Sequence, residues 1–256
     1  MTKLMDARNI SIEFGGLKAL NNFNMEINSG ELVGLIGPNG AGKTTAFNVL
    51  TGIYQPSSGE YELFGEVIKN RKPYQLVESG LARTFQNIRL FKHLSVLQNV
   101  RVPQNNSMTY SIGAGMFRTK NYWKEENEYN KRALDILKIF EMDHLAEYEA
   151  TSLPYGEQRK LEIARAMASN PKILLLDEPA AGMNPKETEE LMKTIRFIRD
   201  EFGIAILLIE HDMKMVLGIC ERLVVLDMGN IIAEGDPMEV VNDKNVIKAY
   251  LGTGDE

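Results

Sequence analysis

The sequence predicts an α/β fold: a mixed, largely parallel sheet, an antiparallel β subdomain near the start, and an α-helical subdomain inserted into the chain. Three observations lead there. "LVGLI", "KILLLD" and "IAILLIE" are short, almost wholly apolar runs, each followed by a helical pattern. Strands that read as continuous rather than alternating hydrophobics are buried on both faces, which is the mark of a parallel sheet between helices. Residues 8–36 instead alternate in a β manner, and from about Gln75 to Ala168 the pattern is mostly helical.

The elements follow in order. "NISIEF", a Gly-Gly turn and "FNMEINSGELVGLIG" read as antiparallel strands leading into the buried strand that ends at Gly37. "KTTAFNVLTGI" has helical spacing, and "GEYELFGEVI" reads as a hairpin punctuated by Gly59 and Gly65. "PQNNSMTYSIGAGMFRTKNYW" has no clear period and is expected to be loop or short irregular helix; "KEENEYNKRALDILKIFEM" is a long amphipathic helix with a solvated charged face. In "SLPYGEQRKLEIARAMASNP", Leu161, Ala164 and Ala168 share one helix face, charged residues fill the other, and Asn170-Pro171 ends it. Strands and helices alternate from there to "NIIAEG". In the helix "DMKMVLGICERL", Met213, Val216, Leu217 and Cys220 are expected to face the core. The expected organisation is one domain over 1–256, with 1–74 and 171–256 as the α/β core with its antiparallel β subdomain and 75–170 as the helical subdomain.

Composition removes several classes. A net charge of -6 speaks against sequence-independent nucleic-acid binding, which relies on Lys and Arg against phosphate, so no nucleic-acid partner is expected. One cysteine, Cys220, permits no internal disulfide. The opening "MTKLMDARNISIEF" lacks a long apolar core, so no secretory leader is expected, and the apolar runs are too short to span a bilayer.

The chemistry begins with "GPNGAGKTT", residues Gly37, Pro38, Asn39, Gly40, Ala41, Gly42, Lys43, Thr44 and Thr45. It follows a buried strand and opens a helix, the context in which this spacing is a P-loop. Glycines at 37, 40 and 42 let successive N–H groups turn toward phosphate oxygens. Lys43 supplies a point charge for the β and γ phosphates, and the Thr44 hydroxyl suits Mg2+. "KILLLDEPAAGMNP" delivers Asp177 to a strand's C-terminal end, where α/β sheets bind ligands and a carboxylate can hold Mg2+ through water. Glu178 is placed to polarise a water against the γ-phosphate. His211 ends the strand "IAILLIE" on the same side and would help hold that water and Glu178. Gln86 is a neutral candidate for Mg2+ or the water, although on residue type alone an exposed loop glutamine is the plainer reading. The start of the helix at Tyr155-Gly156 offers free amides to an anion.

Together these motifs resemble the ATP-binding subunits of ABC transporters over nearly the whole chain: the P-loop, a Q-loop at Gln86, a signature region "LPYGEQ", the "ILLLDEP" strand, a D-loop at "AAGMN" and a switch His211. Within that family the wording "RTFQNIRLFKHLSVLQNV", "DEPAAGMNPKETEEL" and the C-terminal "IIAEGDPMEVVNDKNVIKAYLG" is most similar to the subunits that drive branched-chain amino acid import, as is the insertion around 103–127. The resemblance implies a P-loop NTPase core, ATP and Mg2+ as cofactors, and catalytic roles for Glu178, His211 and Gln86. Thr44, Gln86 and Asp177 would be the metal ligands, and Phe14 would stack on adenine, where the residues alone suggest core packing of a hairpin. It implies that Leu153, Pro154, Tyr155, Gly156, Glu157 and Gln158 face the ATP of a second subunit packed head to tail. The partners implied are two transmembrane permease subunits, a second ABC ATPase subunit (heterodimer) or another copy (homodimer), and indirectly an extracytoplasmic substrate-binding protein. The chain would sit peripherally on the cytoplasmic face of the cell membrane. A lipopolysaccharide exporter ATPase or a soluble iron–sulfur assembly ATPase is the alternative. One departure stands out: the family's signature serine is replaced by Pro154, which has neither hydroxyl nor N–H to donate.

Overall fold

The computed structural model describes residues 2–107 and 116–251. Strands β1 (Lys3–Phe14) and β2 (Leu17–Asn28) form a long hairpin, and β3 (Leu32–Ile36) leads through the glycine loop into α1 (Lys43–Leu50). A second hairpin, β4 (Ser58–Leu63) and β5 (Glu66–Val67), precedes α2 (Pro73–Ser79) and β6 (Leu81–Arg83). Helices α3 (Val96–Arg101), α4 (Lys120–Ile139) and α5 (Tyr155–Met167) follow, with a 3-10 turn over Val102–Ser107. Then come β7 (Ile173–Asp177), α6 (Pro185–Phe202), β8 (Ala205–Ile209), α7 (Met213–Ile219), β9 (Arg222–Asp227), β10 (Asn230–Gly235), α8 (Pro237–Val241) and α9 (Lys244–Leu251). The stretch 103–127, likened to one subfamily, lies partly outside the described residues.

Two sheets result. The first is antiparallel, in order β2-β1-β4-β5; the second runs β10-β9-β3-β8-β7-β6. In the second, β9, β3, β8, β7 and β6 are parallel and only β10 pairs antiparallel. The residues of β3, β7 and β8 are all buried because both faces are covered. Leu32, Ile36, Leu174, Leu176, Ile206 and Leu208 join the core shared with the helices. Their neighbours Val33, Leu35, Ile173, Leu175, Ala205 and Leu207 join the core shared with the antiparallel sheet and α1. The side-chain period of two sorts each strand between these layers.

The helices start where their caps direct. The Asn184 side chain accepts hydrogen bonds from the Lys186 and Glu187 N–H groups, the Glu187 carboxylate accepts one from the Asn184 N–H, and Pro185 occupies the first turn of α6. Ser95 and Gln98 form the same reciprocal cap on α3. Asn170 takes a left-handed φ of 53° before Pro171, ending the segment after α5.

Two expectations need correction. The stretch read as mostly helical from Gln75 contains β6, which at three residues is too short to show a period and is fixed by pairing to β7. In α7 the buried residues are Met215, Val216 and Ile219 and the half-buried Met213 packs against the core as expected, while Leu217 is 38% exposed. Beside these, the charged residues Arg159, Lys160 and Glu162 of α5 are buried, with partners in neighbouring elements. Cys220, just beyond α7, is buried as expected, and burial pushes its thiol pKa up to about 12. It should therefore resist thiol reagents at pH 8 in the native protein and react fully in denaturant; stoichiometric labelling of the folded chain, read by mass, would contradict this packing.

Candidate active site

The carboxyl ends of five parallel strands meet at one edge of the second sheet. Gly37 follows β3, Thr84 to Gln86 follow β6, Glu178 follows β7, Glu210 and His211 follow β8, and the Leu226 carbonyl of β9 closes against Gly37. This is where open parallel sheets bind ligands.

The glycine loop is built for close approach. Gly37 (φ 148°) and Gly42 (φ 107°) hold backbone conformations that side chains rarely adopt. A Cβ at Gly37 would lie 2.0 Å from the Leu226 carbonyl oxygen, and one at Gly42 would lie 2.7 Å from that of Ala19. Gly40 (φ 80°) opens toward free space. Asn39, Gly40 and Thr44 are exposed, Pro38, Gly42, Lys43 and Thr45 are half-buried, and Ala41 is buried. Lys43 folds back over the loop, donating to the carbonyls of Gly37 at 2.6 Å and Pro38 at 2.9 Å. Burial lowers its pKa, and the nearby Glu178 and Asp177 carboxylates oppose that shift. The loop thus holds a cation against its own carbonyls beside an open glycine backbone, an arrangement suited to a polyphosphate.

Across from it stand the carboxylates. Gln86 Nε2 donates to Glu178 Oε2 at 2.9 Å, and His211 Nδ1 lies 3.7 Å from Glu178 Oε1. The structure therefore brings together the three residues that the sequence left in separate loops. Glu178 has a left-handed φ of 47°, fixed by its N–H bond to the Ile209 carbonyl at 2.9 Å. A non-glycine residue held there costs about 1–3 kcal/mol, which the surrounding packing must offset. Asp177 is buried and accepts from Arg83 Nη2 at 2.9 Å. Phe14 is 45% exposed and meets Tyr54 edge-on, with ring centroids 5.2 Å apart, so it is not a core residue of the hairpin.

The six residues of the signature region divide. Leu153 is buried in the helical core and Gly156 is buried, while Pro154 and Tyr155 are exposed and Glu157 and Gln158 are half-buried. Pro154 is the N-cap of α5 and offers no side-chain acceptor, so the first-turn amides have no side-chain partner from the cap. Among the described residues no cluster of three or more His, Cys, Asp or Glu could hold a metal, and no helix is long and apolar enough to cross a membrane.

The family model described as ABC transporter matches residues 20–181, and the model described as branched-chain amino acid ATP-binding cassette transporter matches residues 230–256. The chain belongs to the ABC transporter family. Two relatives are each 43% identical over 97% of this chain and 98% of their own: the high-affinity branched-chain amino acid transport ATP-binding proteins BraF of Pseudomonas aeruginosa and LivG of Escherichia coli. The crystal structure of the ADP conformation of MJ1267, an ATP-binding cassette of an ABC transporter, superposes with a TM-score of 0.85 at 32% identity, covering 98% of this chain and all of that one. As an ABC transporter ATP-binding subunit, the chain binds ATP and hydrolyses it to drive transport.

Several residues of this ABC site were not read from the sequence. Arg83 binds Asn48 Oδ1 at 2.7 Å and Thr51 Oγ1 at 3.1 Å as well as Asp177, and its guanidinium lies over the Phe47 and Phe85 rings. Thr84 Oγ1 accepts from the Asp177 N–H at 3.3 Å. Glu210 is buried and joins two loops: it accepts from the Ala180 N–H at 2.9 Å and the His211 N–H at 3.1 Å. Burial raises its pKa, against the pull of those amides. Tyr250, near the end of α9, lies by the Gly37 backbone, and burial raises the pKa of its phenol. A lone arginine in "LARTF" has no local pattern to mark it, and its partners are distant in sequence. Replacing Arg83 with Met leaves the Asp177 carboxylate buried without its cation and should cost about 3–5 kcal/mol in urea unfolding; a loss under about 1 kcal/mol would show that the pair is solvated.

Proposed function

We propose that this ATPase powers import of branched-chain amino acids. The observation that carries the reading is identity at 43% along almost the whole chain to two proteins named for that transport. The match of residues 230–256 to the branched-chain amino acid transporter model supports it independently of the shared nucleotide motifs. We assign the chain as a peripheral subunit on the cytoplasmic face of the membrane. It would work with two transmembrane permease subunits and a second ATPase, either a different chain or another copy. A substrate-binding protein would act through the permeases.

The residue roles belong to the same proposal. Gly37 to Thr45 cradle the phosphates, with Lys43 leaving its loop carbonyls for the β and γ oxygens. The Phe14–Tyr54 pair receives the adenine ring, its exposure supporting that role. The Thr44 hydroxyl, the Asp177 carboxylate and the Gln86 amide oxygen form an all-oxygen donor set suited to Mg2+. Bound there, Mg2+ would neutralise charge on the β and γ phosphates. The Gln86 amide nitrogen already bonds Glu178, which leaves its oxygen for the metal side. Glu178 orients and deprotonates the attacking water, and His211 fixes Glu178 from the other side. Leu153 to Gln158 face the nucleotide held by the second ATPase, where the amides of α5 replace the missing serine hydroxyl. Within the chain, 75–170 is assigned as the helical subdomain and the remainder as the α/β core with its antiparallel subdomain.

Two measurements test this. Tagged chain captured from detergent-solubilised host membranes should bring down two polytopic proteins and a second ATPase; purely soluble partners would replace the import reading with an assembly ATPase. Glu178→Gln should keep ATP binding and lower turnover by roughly 100-fold or more, the ordinary contribution of a general base. Robust hydrolysis by that variant would remove Glu178 from the role.

A further inference from the structure

Arg159 is among the largest fully buried side chains of the described residues, and its charge is spent on the loop of Gln86. From α5, its Nη1 donates to the Phe85 carbonyl at 2.6 Å and to Glu162 Oε2 at 3.0 Å. Its Nη2 donates to the Gln86 carbonyl. Glu162 Oε1 in turn accepts the Arg89 N–H at 3.2 Å. The two side chains, each 1% exposed, therefore grip the Gln86 loop on both sides of that residue. One turn earlier on the same helix, the Tyr155 ring centroid lies 5.8 Å from the Arg159 guanidinium carbon, and the ring packs on Gly182, where an added Cβ would come within 3.0 Å of it.

Buried ion pairs are often no more stabilising than apolar side chains of the same size. This one spends its hydrogen bonds on the backbone of a single site loop, which is a geometric task rather than a packing one. We propose that Arg159 and Glu162 are positioning residues that make the Gln86 loop and α5 move as one body. The contact between Gln86 and Glu178 then sets the pose in which the N-terminus of α5 meets the nucleotide of the second ATPase. The inference rests on the roles assigned above to Gln86 and the signature region. It adds the element that joins them. Three hydrogen bonds cross the junction, two from the planar Arg159 fork and one to Glu162, and the Arg159–Glu162 bond ties the two side chains together, so a displacement of the Gln86 backbone is passed to α5.

The test uses the complex captured with the tagged chain. R159M/E162M removes both charges while keeping side-chain bulk, and R159K keeps the pair but not the fork. ATP affinity should stay within about twofold of wild type while turnover falls roughly fivefold or more, the low end of ordinary coupling between sites. R159K should recover only part of the loss. In a Gln86→Ala background the R159M/E162M change should add nothing further, because both act through one contact. Normal turnover in folded R159M/E162M, or losses that multiply in the Gln86→Ala background, would overturn the proposal. Should R159M/E162M fail to fold, R159K decides it, and turnover within about twofold of wild type in that variant would overturn it. Glu178→Gln run in parallel separates the two levels. Hydrolysis by that variant overturns the site assignment, whereas an inactive Glu178→Gln beside a normal R159M/E162M overturns only the present inference.

Discussion

The parallel register of β3, β8 and β7 is the constraint on which the site depends. Leu35 lies opposite Ile209, and Ile209 lies opposite Asp177. The residues that follow these positions are therefore carried to the same height at the sheet edge. Gly37, Glu178 and Glu210 gather there without any loop having to be long. A shift of one residue in β7 would turn Asp177 to the opposite face and break its bond to Arg83. What prevents the shift is the sorting of alternate residues into two apolar layers, since Leu174 and Leu175 are committed to different cores. Core packing thus sets the geometry of the charged groups, and the glycine loop finishes what the register begins.

The charged residues around the site are unusual in how little water they see. Asp177, Arg159, Glu162 and Glu210 are buried, and the Arg83 side chain that meets Asp177 is 9% exposed. Unpaired, each would be strongly destabilising; paired, each contributes little more than an apolar substitute would. Their common feature is that they join different loops. Arg83 ties the strand before Gln86 to the one before Glu178 and to α1. Glu210 ties the segment after Glu178 to the switch histidine. Hydrogen bonds of fixed direction transmit a position in a way that a sliding hydrophobic contact does not. A site whose loops must respond together to one phosphate has a use for such ties.

How much of this was legible in the sequence depended on whether the cause was local. The glycine loop declares itself because its backbone requirement, its flanking strand and its helix are contiguous. "KILLLDEP" and "IAILLIEHD" are legible for the same reason: an apolar strand points to its own C-terminal residues. The strand β6 was not, because three residues carry no period and its cause is a partner nearly a hundred positions away. The burial of Arg159 was not legible either, because charge ordinarily means water and nothing local says that it will meet the carbonyls of Phe85 and Gln86. Leu217 went wrong by a single helical step: inward positions run Met215, Val216, Ile219, and a residue beside Val216 falls outside the stripe.

Gly156 shows how a motif residue can have two independent causes. As the second residue of α5 it opens the backbone of an anion site, which is the reason the sequence suggests. The fold supplies another. A Cβ at Gly156 would stand 3.1 Å from the Glu187 carboxylate, and that carboxylate is already committed to capping α6 through the Asn184 N–H at 2.8 Å. A larger residue would press on the side chain that caps the helix following the Asp177 strand. Glu187 and Glu157 thus bring two carboxylates to the first turn of α5, where the helix dipole favours negative charge. Lys160 lies 3.4 Å from Glu157 and 3.7 Å from Glu190, and offsets part of that charge. In the proposed assembly a phosphate from the second ATPase would approach the same turn, and the carboxylates would have to yield to it. Without a serine hydroxyl to bond the γ oxygen, the affinity of that approach rests on backbone amides and on the pose of the helix. A site that depends on pose more than on side-chain chemistry needs its helix held firmly, and the buried pair that α5 carries to the Gln86 loop is placed to hold it.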